Sequence, residues 1–132
     1  MLEIKFERPF SVHMEVVETS DYLPSLRIEA QIVIAQFQHM FSYQGTFWLE
    51  CACWTDFANS LNDPSRDAVL NDMSNNFALA IYKKDGKKII SWKFNMTDVS
   101  GSSTTTVAFS AEIDDDMLEA IKREFAEFPV WW

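Results

Sequence analysis

The chain has 132 residues, with 20 acidic against 11 basic side chains and a formal net charge of −9. Apolar residues make up 48% and only three glycines and four prolines interrupt them, which excludes a disordered or low-complexity chain. The charge repels a phosphate backbone and so argues against nucleic acid as a direct partner.

The length is one domain's worth, 1–132, and needs neither a disulfide nor a metal to stabilise its core. At the start, Glu3 and Glu7 interrupt "MLEIKFERPF" where a signal peptide needs an apolar run. No apolar run approaches the roughly 18 residues that span a bilayer. The cytoplasm is therefore the expected compartment, with no membrane partner.

In chain order, "LEIKF" and "VHMEVVE" read as short strands. "SLRIEAQIVIAQF" alternates fully: Leu26, Ile28, Ala30, Ile32 and Ile34 share one face, opposite Arg27, Glu29 and Gln31. "MFSYQGTFWLEC" places Phe41, Tyr43, Phe47, Leu49 and Cys51 together. Trp54, Phe57, Ala58 and Leu61 then fall at helical spacing, with Thr55 and Asp56 expected near the helix start. "LNDPSRD" ends that helix.

Strands resume in "NFALAIYKKDGKKIISWKFNM", where Asp85-Gly86 predicts a two-residue hairpin between lysines. "VSGSS" predicts a turn and "TTTVAFSAEI" an edge strand. Met117, Leu118, Ile121, Phe125 and Phe128 form the stripe of a closing helix, and Asp114, Asp115 and Asp116 suit its positive N-terminal end. The expected fold is α+β: one antiparallel sheet of about seven strands, order ββββαβββα, with both helices on one face.

"ECACWTDF" holds the only cysteines. On a strand, Cys51 and Cys53 would share a face with Cα atoms about 6.6 Å apart, near the upper limit for a disulfide. A zinc site needs about four ligands, and His13 and His39 stand at no recognised spacing from them. The stretch is read as a strand-to-helix junction with core thiols. No metal and no cofactor is expected.

Catalysis is not expected either. Neither histidine is paired with a nucleophile in sequence, and phosphate-loop, Ser-x-x-Lys and His-Glu-x-x-His patterns are missing. In the tail "FPVWW", Trp131 and Trp132 either dock on the sheet, which solubility favours, or stand out as interface anchors.

The run "FSYQGTFWLECACWTDFANSL" resembles the strand-to-helix section of the WapI-type immunity family, small bacterial proteins that neutralise toxins of contact-dependent competition systems; Trp48, Leu49, Asp56, Phe57 and Leu61 match in type. "NDMSNNFALAIYKKDGKKIISWKFNM" is similar to the family's later strand and Asp-Gly hairpin, and "VAFSAEIDDDMLEAIKREF" to its last strand and helix, with Asp114 and Leu118 in place. The likeness spans about residues 26–127. The Asp-Gln-Thr that often opens the family's last helix is Asp-Asp-Asp here. The resemblance implies a shared fold and stoichiometric binding without a cofactor.

The expectation is thus a non-enzymatic, acidic protein-binding domain that caps a basic partner such as a secreted toxin domain. Its contacts would be carboxylates on wetted strand faces, Glu15, Glu18, Glu29 and Glu50, with Trp131 and Trp132 as anchors. One rival is a small-ligand carrier with an apolar pocket between sheet and helices. A small hydrolase or isomerase is another, and would need a histidine brought beside carboxylates. A free sheet edge offers a route to a homodimer.

Overall fold

The computed structural model describes residues 2–132. Four strands come first, β1 (Glu3–Phe6), β2 (Ser11–Ser20), β3 (Ser25–Gln36) and β4 (His39–Glu50), followed by α1 (Cys51–Leu61). Four more follow, β5 (Ala68–Asn71), β6 (Phe77–Lys84), β7 (Lys87–Thr97) and β8 (Thr104–Glu112), and α2 (Asp115–Glu127) closes the chain.

The α+β class, the antiparallel pairing and the run of strands, helix, strands, helix hold. The single sheet of about seven strands does not. There are two four-stranded sheets, β1-β2-β3-β4 and β5-β6-β7-β8, and the eighth strand is β5, in the stretch left between helix and hairpin. The reason is cover. An unbroken sheet of that width needs its whole apolar face sheathed, whereas helices of 11 and 13 residues are only about 17 and 20 Å long. Folding the strands into two layers lets each sheet cover the other.

The alternation read from the sequence sets the inner faces. Leu26, Ile28, Ala30, Ile32 and Ile34 of β3 are all buried, as are Leu79 and Ile81 of β6 and Ile90 and Trp92 of β7. They belong to one continuous core to which α1 adds Trp54, Phe57 and Leu61, and α2 adds Leu118, Ile121 and Phe125.

An aromatic seam joins the layers. Phe47 of β4 stacks on Phe77 of β6 with ring centroids 4.2 Å apart, and Tyr43 meets Phe77, Trp92 and Phe94 at 6.1, 5.2 and 5.0 Å. At the other flank Phe10 meets Phe109 of β8 at 5.0 Å. Gly45 is what lets Tyr43 lie flat, since a Cβ there would come within 2.7 Å of the ring carbon Cζ.

Local chemistry fixes the connections. Asp85 and Gly86 take φ of 53° and 76°, the left-handed pair a tight hairpin needs. Asp114 caps α2 by accepting from the Met117 amide at 2.8 Å. Three further aspartates organise loops by the same means: Asp63 accepts from Ser65, Asp98 from Ser100, Ser102 and Ser103, and the buried Asp72 from the Asn76 and Phe77 amides at 2.7 and 2.9 Å.

Two expectations at α1 are corrected. The helix begins at Cys51, so Thr55 and Asp56 lie inside it and do not cap it; the first amide, Cys51 N, instead donates to Pro24 O at 2.9 Å. Cys51 and Cys53 are helical residues about 200° apart around the axis, so they do not share a face: Cys51 is buried while Cys53 turns toward β5.

The seam makes a prediction. A Gly45→Ala substitution must push the Tyr43 ring out of its three aromatic contacts, and overpacking of this kind costs about 1–3 kcal/mol. Urea unfolding should show a lowered midpoint. Because Gly→Ala ordinarily favours a strand, an unchanged midpoint would mean that the ring is not held.

Candidate functional site

The outer face of the first sheet collects carboxylates because its strands must turn every second side chain to water. The register then sets them side by side: Glu3 on β1 opposes Glu15 on β2, Glu15 opposes Glu29 on β3, and Glu29 opposes Thr46 on β4. In the next row Lys5, His13, Gln31 and Gln44 are cross-strand neighbours. Strands lie about 4.8 Å apart, so the carboxylates of one row are adjacent. Together His13, Glu15, Glu29, Gln31, Gln44 and Thr46 line an open hollow of about 450 Å³.

Not all of these charges are free. His13 Nε2 contacts Glu3 Oε2 at 2.7 Å, and Arg27 Nε donates to Glu18 Oε2 at 2.8 Å. A register shift between Val16 and Glu18 creates the second contact, setting Glu18 directly opposite Arg27. Glu15 and Glu29 have no cation within ion-pairing distance among the described residues. Like charges directly opposite on a sheet are destabilising, so this pair holds repulsion that a cationic partner would relieve.

The six residues singled out from sequence do not converge on one place. Glu15 and Glu29 line the hollow together, and Glu18 stands on the same sheet but is taken by Arg27. Glu50 ends β4, about 13 Å along the strand from Thr46, and lines a separate hollow with Cys53, Asn71, Asp72, Met73 and Asn75.

The tail is docked on α1. Trp132 donates from Nε1 to Thr55 Oγ1 at 3.2 Å, and its ring meets Trp54 at 6.1 Å. Phe128 is buried, while Trp131 remains 48% exposed against Trp132. The two tryptophans therefore belong to the helical side and are not part of the carboxylate row.

The histidines differ. His13 is held by Glu3 in the hollow, whereas His39 is exposed at the start of β4. The hydroxyl in the hollow, Thr46, is two strands from His13, about 10 Å across the sheet and in the next row, beyond proton-transfer reach.

Neither thiol is activated. Burial raises the Cys51 pKa, and burial together with Asp56 and Glu50 raises that of Cys53, whose Sγ donates to the Asn71 carbonyl at 3.5 Å. Among the described residues no three His, Cys, Asp or Glu side chains are grouped to hold a metal ion. Among the described residues no helix is long and apolar enough to cross a membrane.

Sequence reasoning missed Gln31, Gln44 and Thr46 as lining residues, and the Glu3–His13 contact. Strand parity was sufficient to place each on the wetted face, but the pairing register that makes them neighbours requires knowing the turn lengths. Compared with family models, with curated proteins and with solved structures, the chain matches none.

Two measurements bear on the site. Glu29→Gln should raise stability by about 0.2–1 kcal/mol, seen as a higher urea midpoint at low salt that shrinks as salt is added; a lowered midpoint would show that the pair is not under repulsion. Iodoacetamide should alkylate Cys53 more slowly in the native than in the unfolded protein at neutral pH, because a raised pKa leaves less thiolate. The pH midpoint of the native rate should lie above the ordinary thiol value.

Proposed function

We propose that the protein is a non-enzymatic binding domain that engages a basic protein partner through the outer face of the first sheet, in the manner of an immunity protein capping a toxin. The observation that carries this reading is the Glu15–Glu29 pair, like charges held opposite each other without a cation among the described residues. A Lys or Arg side chain entering the hollow would be flanked by both carboxylates, with the Gln31 and Gln44 amides available to hydrogen-bond it. Relief of the repulsion would add to the attraction.

Charge distribution supports the same direction of approach. Lys83, Lys84, Lys87 and Lys88 cluster at the β6–β7 hairpin of the second sheet. On the strands of the first sheet the only lysine or arginine side chains are Lys5 and Arg27, and Glu18 holds the latter. A basic partner would be steered to the first sheet, with an association rate that falls as salt rises.

The rival readings draw less support. A ligand carrier needs an apolar cavity, but Tyr43, Phe47, Phe77 and Trp92 fill the space between the sheets, and the hollow that holds His13, Glu15 and Glu29 is outside and polar-lined. The His13–Glu3 contact favours a hydrolase, but among the described residues no hydroxyl or thiol is hydrogen-bonded to His13.

The test is capture from the source organism with the tagged protein at low and high salt, using wild type and a Glu15→Lys/Glu29→Lys variant side by side. The expected outcome is a stoichiometric basic partner, released by salt and absent from the variant. Equal capture by both proteins would move the interface off this sheet.

A further inference from the structure

We infer that β8 is a dimerisation edge, through which two copies of the chain join their second sheets into one eight-stranded sheet. Each sheet has two edges, and the other three are partly or wholly occupied. At β1 the Lys5 amide donates to Glu124 Oε1 of α2 at 2.7 Å. At β5 the Cys53 thiol of α1 reaches the Val69 and Asn71 carbonyls. At β4 the Trp48 carbonyl accepts from Met73 N at 2.8 Å. Among the described residues nothing comparable meets β8. Its nine residues pair only with β7, and none of them is buried.

The Ile113 amide donates to Lys88 O, so odd-numbered residues of β8 turn their backbone groups to β7. The even-numbered ones, Thr104, Thr106, Ala108, Ser110 and Glu112, turn theirs to solvent. Exposed edges are ordinarily blunted by lysine, proline or a bulge. "TTTVAFSAE" has none of these, and its one charge stands at the end.

The strand is complementary to itself. Antiparallel pairing about a two-fold axis at Ala108 sets Ala108 opposite its own copy, Thr106 opposite Ser110, and Thr104 opposite Glu112. Every outward N–H and C=O from Thr104 to Glu112 then finds a partner, and no like charges face each other. The register preserves parity, so Val107 and Phe109 stay on the inner face and meet across the junction. Moving the axis to Glu112 would oppose two carboxylates. These features favour a second copy over a foreign strand.

The test is sedimentation equilibrium across concentrations up to the millimolar range, at moderate salt. Wild type should approach twice the 15.3 kDa chain mass. Ala108→Lys, which sets two ammonium groups at the axis, and Ala108→Pro, which removes the central outward N–H, should both sediment as single chains with unchanged circular dichroism. Ser42→Lys on the β4 edge should leave the dimer intact. Amide exchange at Thr106, Ala108 and Ser110 should slow as wild-type protein is concentrated. A wild-type protein that stays at 15.3 kDa throughout, or protection of β8 only after another protein is added, would overturn the proposal. So would a dimer that Ser42→Lys breaks and Ala108→Lys does not.

Discussion

The fold depends on the contact of Tyr43 and Phe47 with Phe77, Trp92 and Phe94. Each sheet alone has one apolar face that the two short helices cover only in part, so each sheet needs the other to complete its cover. Aromatic side chains suit this task because each buries a large area and pairs at offset or tilted angles. The arrangement also carries a cost: the Trp92 indole N–H is buried at the seam without a hydrogen-bond acceptor among the described residues. An unpaired donor of this kind forfeits roughly 1–3 kcal/mol, which the packing around it must offset.

Placement of the seam on one face decides what the other face can do. Once Tyr43, Phe47 and Leu49 are turned inward, Gln44 and Thr46 are committed to solvent, and β3 and β2 follow with Glu29 and Glu15 in register. The core therefore fixes the spacing of the carboxylates to the strand repeat, and the repulsion between them cannot relax by backbone movement. A backbone held in this way would lose little entropy on binding the proposed partner, which is the advantage of preorganisation. The carboxylate row and the core packing are two sides of the same strands.

Much of this was legible in the sequence. Period-two alternation placed Leu26 to Ile34 inside and Glu29 outside, Asp85-Gly86 marked its hairpin, and Asp114 to Asp116 marked the start of the closing helix, though not which of them caps it. The division into two sheets was not legible, because alternation reports one buried face but not what buries it. β5 was missed since "AVLN" is only four residues long and follows the turn "NDPSRD". The start of α1 was missed because no side chain caps it; a carbonyl from Pro24, distant in sequence, does so. The β3–β4 turn gave no signal at all. It places Phe37 and Gln38 at φ of 53° and 66°, where glycine or asparagine is the usual choice. Phe37 holds this costly conformation while 82% exposed, so the two long strands, and not the turn's own chemistry, impose it.

The face and the edge bear on each other through symmetry. A two-fold axis through Ala108 runs perpendicular to the second sheet, and such an axis leaves the direction of the sheet normal unchanged. Both copies would then present their first sheets, and so both Glu15–Glu29 hollows, on the same side of the joined layer. A basic partner with one matching site would gain nothing from this. A partner that repeats its basic patch would bind the second hollow at the effective concentration set by the first, raising avidity without any new contact. The Glu15–Glu29 pair does not oppose the arrangement, because it faces away from the second sheet, and β8, at which the copies would meet, carries one charged residue, Glu112, which the register sets opposite Thr104.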